Sequence, residues 1–272
     1  VCCLLLLLVF VLMLLFRFLF VFLAIAVLRC DSRPGDVEVI VSDEAGQRLS
    51  VQPQQLSWEK KTAPSSQVLS IDINQQFQTI HGFGGSFLRS GALTLNQLPL
   101  EKQDEVLKKL FDPEEGAGFT VGKVPIGACD YCPLTASPNE TRWWSYRKNP
   151  LEPFSLGPDL EEPGGTVPYV MRAVQYIQQS KTPLWLQSTI DYPPRWMLEG
   201  DLPGATVNPL FYGPLAQYYL DFVQHFEDAS GVPIHYLSLF NEPIDSYTNI
   251  TTAAIGDLLV NHVFPTLSEA GS

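Results

Sequence analysis

Ile234-His-Tyr-Leu-Ser-Leu-Phe-Asn241-Glu242-Pro243 is a short run of β-branched and aromatic residues that stops abruptly at an Asn-Glu pair and a proline. The composition before Asn241 is that of a buried strand. Pro243 has no N–H to give to a sheet ladder and pushes the residue before it out of right-handed helical geometry. The strand therefore ends there, leaving the Glu242 carboxylate and the Asn241 amide at its carboxyl end, facing a cleft and not a neighbouring strand.

Upstream, strand and helix signals alternate. Strands are predicted at 79–84, 119–126, 183–188 and 234–241. Between them lie helices with one apolar face each. One carries Val106, Leu107, Leu110 and Phe111; one over 167–179 carries Val170, Val174 and Ile177; one over 215–227 carries Tyr219, Phe222 and Phe226; a last covers 252–268. Such repetition gives a parallel sheet with right-handed crossovers, an α/β fold. Four βα units are visible. A closed (β/α)8 TIM barrel takes about 250 residues, so 77–272 is predicted to be its N-terminal portion, with Glu242 on the rim where barrels carry catalytic groups. Before it, Val37-Glu-Val-Ile-Val41 and Val68-Leu-Ser-Ile-Asp-Ile73 alternate apolar and polar residues, as antiparallel strands do.

Two further motifs stand at predicted strand ends: Phe77-Gln-Thr-Ile-His-Gly-Phe-Gly-Gly85-Ser86 and Lys123-Val-Pro-Ile-Gly-Ala-Cys-Asp130-Tyr131. In order and approximate spacing, these and Phe-Asn-Glu-Pro resemble glycoside hydrolase family 30, in its glucosylceramidase branch, from about Phe77 to the C-terminus. The resemblance implies a retaining β-glycosidase acting on a β-glucoside, in glucosylceramide (sphingolipid) breakdown, without cofactor or metal. It makes 29–76 part of an accessory β-domain beside the barrel. It makes Glu242 the acid/base, Asn241 the amide that bonds the sugar 2-hydroxyl, and Asp130 a ligand of outer hydroxyls. The family's nucleophile is a Glu on strand seven, which lies beyond Ser272. Asp191, Glu199 and Asp245 match no nucleophile motif, so the chain as given is expected to be inactive.

Two departures from the family pattern stand out. Lys123 occupies a position that is usually Arg, and it keeps the charge without the planar fork. In Thr189-Ile-Asp191-Tyr-Pro-Pro-Arg-Trp196, alignment on Trp196 puts Asp191 where a sugar-contacting Trp belongs. Asp191 is therefore a candidate substrate ligand. The departures keep other family activities open, on β-xylosides or β-1,6-glucans, and also a non-catalytic carbohydrate-binding protein. The Gly82-Phe-Gly84-Gly85-Ser86 turn lacks the spacing of a phosphate loop.

Glycoside hydrolysis needs one carboxyl to protonate the leaving oxygen and another to attack or to activate water. Glu242 suits the first task, and a cleft with apolar and aromatic walls is expected to raise its pKa. The loop over 131–165 carries Trp143, Trp144 and Tyr146, which either stack on sugar or pack the loop onto the barrel.

The net charge of −12 and the lack of clustered Lys and Arg exclude nucleic acid as a partner. Residues 1–28 are apolar with Arg17 the sole charge, and Ala24-Ile25-Ala26 permits cleavage, so the segment reads as a signal peptide, with a membrane anchor as the alternative. Either sends the protein into the secretory pathway, to an extracellular or lysosomal site, where the sequons at Asn139 and Asn249 are usable and a membrane surface is within reach. Cys129 and Cys132 form a Cys-x-x-Cys with no second pair or nearby His to complete a zinc site, and so read as structural thiols or a local disulfide.

Overall fold

The computed structural model describes residues 38–53, 72–128, 144–161, 163–178, 183–201, 204–243 and 248–271. The chain divides into two units, residues 1–77 and 78–272. In the first, β1 (Ile40–Val41) pairs antiparallel with β2 (Ser50–Val51). The Asp43 carboxylate accepts from both the backbone and the side-chain amide of Gln47 between them. The predicted strand reaching Ile73 is not one at its end, because Asp72 accepts the Asn74 N–H and folds residues 72–74 into a turn. Residues 68–71 and the apolar segment 1–28 lie outside the described residues.

The second unit is built on a four-stranded parallel sheet in the order β3 (Gly84–Ser86), β4 (Val121–Pro125), β5 (Trp185–Ile190) and β8 (Ile234–Phe240). Between β3 and β4 run α1 (Arg89–Leu95) and α2 (Leu100–Phe111). Between β4 and β5 runs α3 (Thr166–Ile177). A two-residue hairpin, β6 (Leu198–Glu199) with β7 (Thr206–Val207), follows β5 and leads into α4 (Tyr212–Ser230). Neighbours in sequence are neighbours in the sheet, as expected for the first strands of a (β/α)8 barrel.

The helix faces are those the apolar spacing predicts. Leu107 and Phe111 on α2, Val170 and Ile177 on α3, and Tyr219, Phe222 and Phe226 on α4 are all buried. Val106 instead lies at the surface, and Leu110 and Val174 are only partly covered. The α4 helix ends at Gly231, whose φ of 70° makes a left-handed cap that a Cβ would disfavour. The predicted helix over 252–268 is α5 (Thr252–Leu258) and α6 (Phe264–Ala270), joined by a wide π turn at Leu259–Val263. Pro265 is the cause: with no N–H to donate and a ring that crowds the preceding turn, it makes the helix widen just before it.

The first barrel strand lies later than the 79–84 predicted, and Phe77, Ile80 and Phe83 are exposed. Its position follows from Gly84. A Cβ at Gly84 would overlap the Val121 carbonyl oxygen, so only glycine lets β3 lie this close to β4. Gly84→Ala is expected to destabilise the protein by about 3 kcal/mol or more, since backbone is in the way. At Gly213, where a Cβ meets nothing within 4 Å and the residue is helical, alanine is expected to stabilise by about 0.5–1 kcal/mol. Urea unfolding midpoints of the two variants check the contrast.

Candidate active site

The carboxyl end of β8 is shaped by two skipped residues. Pairing between β5 and β8 jumps from Leu186↔Ile234 to Gln187↔Tyr236 and again from Thr189↔Ser238 to Ile190↔Phe240, leaving His235 and Leu239 without ladder partners. Each is compensated. The Leu186 N–H donates to His235 Nδ1 at 3.2 Å, and the Tyr219 hydroxyl on α4 donates to the Leu239 carbonyl. Burial pushes the Tyr219 pKa well above its ordinary value, so that hydroxyl keeps its proton. An extra residue in a strand reverses which face the following side chains take. The bulge at Leu239 therefore decides how Asn241 and Glu242 leave the sheet.

Asn241 stays tied to it through its N–H, which donates to the Ile190 carbonyl at 2.8 Å. Its side chain meets Lys123 of β4, with the ammonium 3.1 Å from Asn241 Oδ1. The same ammonium lies 3.3 Å from Oδ1 of Asp191, the residue after β5. Asp191 is buried, with 4% of its side chain accessible, while Lys123 keeps 26%. Three parallel strands thus deliver an amide, a carboxylate and an ammonium to one spot at their carboxyl ends. Of the sequence-derived candidates, Asp191 and Asn241 come together here. Asp130 lies outside the described residues, as do Cys129 and Cys132.

Glu242 departs from expectation in two ways. It is exposed, not enclosed by apolar walls. It also takes φ +46°, one of two non-glycine residues with positive φ among those described. Pro243 disfavours the right-handed region for the residue before it, and the chain has turned into the left-handed one instead of staying extended. The Pro243 carbonyl then accepts the Ile250 N–H at 3.0 Å.

The loop entering α3 is pinned by a buried cluster that the sequence reading missed. Tyr146 stacks on Phe222 and Tyr218 at centroid distances of 5.6 and 6.2 Å, so this aromatic packs the loop. Trp144 packs edge-on against Tyr146. Trp143 lies outside the described residues. The Tyr146 hydroxyl donates to Asp159 Oδ2 at 2.5 Å, and its N–H donates to the Tyr218 hydroxyl at 3.0 Å. Arg147 pairs with Asp221 of α4 at 2.7 Å. Burial raises the Asp159 pKa to about 6, against the lowering effects of Tyr146, Thr166 and Arg89.

The model of the glycosyl hydrolase family 30 TIM-barrel domain matches residues 80–255. The chain belongs to glycoside hydrolase family 30. Curated relatives include the Caenorhabditis elegans protein named Putative glucosylceramidase 4, 27% identical over 192 residues, covering 68% of this chain and 35% of that one. Putative glucosylceramidase 1 of the same organism is 25% identical, covering 64% of this chain and 32% of its own. The chain therefore spans about a third of the length of these relatives. Among solved structures, SrfJ from Salmonella typhimurium superposes with a TM-score of 0.69 at 19% identity, over 86% of this chain and 51% of that one. An endo-beta1,6-glucanase gives 0.61, also at 19% identity, over 74% and 44%. A family 30 xylanase C from Talaromyces cellulolyticus gives 0.55 at 19%, over 73% and 46%. At these identities the structural likeness shows the fold, a partial family 30 barrel.

Two outcomes are expected from the site's geometry. Because the strain at Glu242 requires a Cβ, Glu242→Gly should be more stable than Glu242→Ala by about 1 kcal/mol, the reverse of the usual glycine penalty, in paired denaturation curves. For Asp159, the raised pKa means the folded state holds a proton between about pH 4 and 6 that the unfolded state has released. Stability should then fall as pH rises through that window and level off above it, by at most about 3 kcal/mol. Asp159→Asn should flatten this part of the pH–stability curve.

Proposed function

We propose that this chain carries the acid/base portion of a retaining β-glycosidase acting on a β-glucoside, a glucosylceramide-like glycolipid in particular. The observation that carries the reading is the arrival of Asn241 and Glu242 together at the carboxyl end of β8, beside the Lys123–Asp191 pair, in a family 30 barrel. Glu242 protonates the leaving oxygen and then deprotonates the incoming water, and its exposure leaves it open to the aglycone and to solvent. Asn241 contacts the sugar beside the scissile bond, and Asp191 and Asp130 contact its other hydroxyls. The nucleophile comes from sequence other than these 272 residues, in keeping with the share of the relatives that the chain covers. The names of the curated relatives support glucosylceramide as the substrate.

Asp191 keeps a second reading open: a carboxylate stands where an aromatic sugar platform is expected, so another family 30 activity, on a β-1,6-glucan or a β-xyloside, is the alternative substrate class. The apolar segment 1–28 supports a secretory destination, extracellular or lysosomal, and the exposed Asn249 sequon is compatible with it.

The test uses protein expressed from the full reading frame. Glu242→Gln should lower kcat/KM for an alkyl or lipid β-glucoside by about 10²–10⁴-fold, while an activated aryl glucoside, which needs no proton on its leaving group, still forms the glycosyl-enzyme. Parental turnover of the alkyl glucoside by this variant would sink the assignment. Sugar binding without any turnover by the parent would establish the non-catalytic alternative.

A further inference from the structure

Asn249 stands apart from other asparagines of this fold. Asn74, Asn149, Asn208, Asn241 and Asn261 each use their side chains in hydrogen bonds that hold a turn, a helix or the strand-end cluster. Among the described residues the Asn249 carboxamide has no such bond. Its main chain is nonetheless fixed. Thr248 and Ile250 are buried, at 1% and 0% exposure, and Asn249 is exposed between them. The Asn249 N–H donates to the Ala205 carbonyl at 2.8 Å, and the Ile250 N–H donates to the Pro243 carbonyl at 3.0 Å. A pinned backbone thus presents to solvent an amide that has no task inside the fold.

Two positions on, Thr251 supplies the hydroxyl of an Asn-x-Thr sequon. In the folded chain its oxygen accepts the Ala254 N–H and caps α5. Capping by itself accounts for a threonine at 251. It gives no account of the idle amide at 249. Because the cap exists only once α5 has formed, the hydroxyl is available on the extended chain before folding.

We infer that Asn249 is an N-glycosylation site. Its Nδ2 forms a bond to the anomeric carbon of an oligosaccharide carried on a polyprenyl pyrophosphate. The carbon–oxygen bond to the pyrophosphate breaks, the pyrophosphate leaves with the bonding pair, and Nδ2 gives up one proton. The inference rests on the secretory reading of residues 1–28, which brings the chain to the compartment where that donor is found. It also locates the glycan. Glu242 and Asn249 are each one residue from the Pro243–Ile250 hydrogen bond, so their Cα atoms lie within about 14 Å. The first sugar therefore stands on the rim beside the proposed acid/base, as a bulky hydrated neighbour of the cleft.

The experiment expresses the full reading frame in a eukaryotic secretory host and recovers the protein from the medium. Enzymatic removal of N-glycans in heavy-oxygen water converts each modified asparagine to a labelled aspartate, so peptide masses read Asn249 separately from the sequon at Asn139. Label is expected at 249. Asn249→Gln should remove one glycan's worth of mass from the intact protein. Thr251→Asp is the sharper variant, since aspartate keeps an N-cap acceptor while the sequon hydroxyl is gone; it should lose the label, and its thermal unfolding serves as the folding control. Thr251→Ser keeps both functions and should keep the label. Secreted protein with an unlabelled Asn249 would overturn the inference and leave the secretory reading standing. Protein that stays in the cytosol would overturn the secretory reading and the inference with it. A label that survives Thr251→Asp would also overturn it, because it would report deamidation and not a glycan.

Discussion

A buried carboxylate must be neutralised, and at the carboxyl end of this sheet that need ties three strands together. Asp191 follows β5, its counter-charge comes from Lys123 on β4, and the same ammonium reaches Asn241 beyond β8. Chain segments 118 residues apart are thereby held in one constellation. One ammonium serving both a carboxylate and an amide couples the three side chains, so that a change at one bears on the other two. In water such a pair would be worth little.

That constellation depends on backbone irregularities that the rest of the fold supports. The β8 strand carries residues its neighbour does not match, and each skipped position is made tolerable by a side chain: His235 accepts the Leu186 N–H, and the Tyr219 hydroxyl donates to the Leu239 carbonyl. Tyr219 is itself held in the buried face of α4 with Phe222 and Phe226. The core helix thus does more than cover the sheet, because it stabilises the bulge from which Asn241 and Glu242 leave it. The left-handed backbone at Glu242 is strain of the kind that gathers at functional sites, held by a proline after it whose carbonyl accepts the Ile250 N–H.

Also against α4, Tyr146, Tyr218 and Asp159 form a buried hydroxyl–carboxyl network that fastens the loop leading to α3. Burial holds its carboxyl at a pKa of about 6, well above the usual carboxylate range. The same burial that makes the clasp specific makes it sensitive to pH.

The sequence by itself determined the local, periodic part of this protein. Apolar residues three and four apart mark the faces of α2, α3 and α4, and the run from Ile234 ending at Pro243 marks a strand with a carboxylate at its tip, because both patterns are set by short-range geometry. Asn241 was legible for the same reason, at the tip of that strand, whereas Asp191 entered only through the family resemblance, because the strand before it was predicted to stop at 188 and runs to Ile190. What only the tertiary structure decided is everything that depends on register. The shift of β3 to Gly84–Ser86 follows from backbone-to-backbone approach at Val121, the reversal of face at Leu239 from pairing with β5, and the pairing of Lys123 with Asp191 from three strands lying side by side. Asp159 gave no signal at all, since its partner Tyr146 is thirteen residues away at no helical or strand period. One-dimensional spacing encodes which face a residue takes within its own element; which residues share a site is set by how elements stack, and that information lies in contacts between distant parts of the chain.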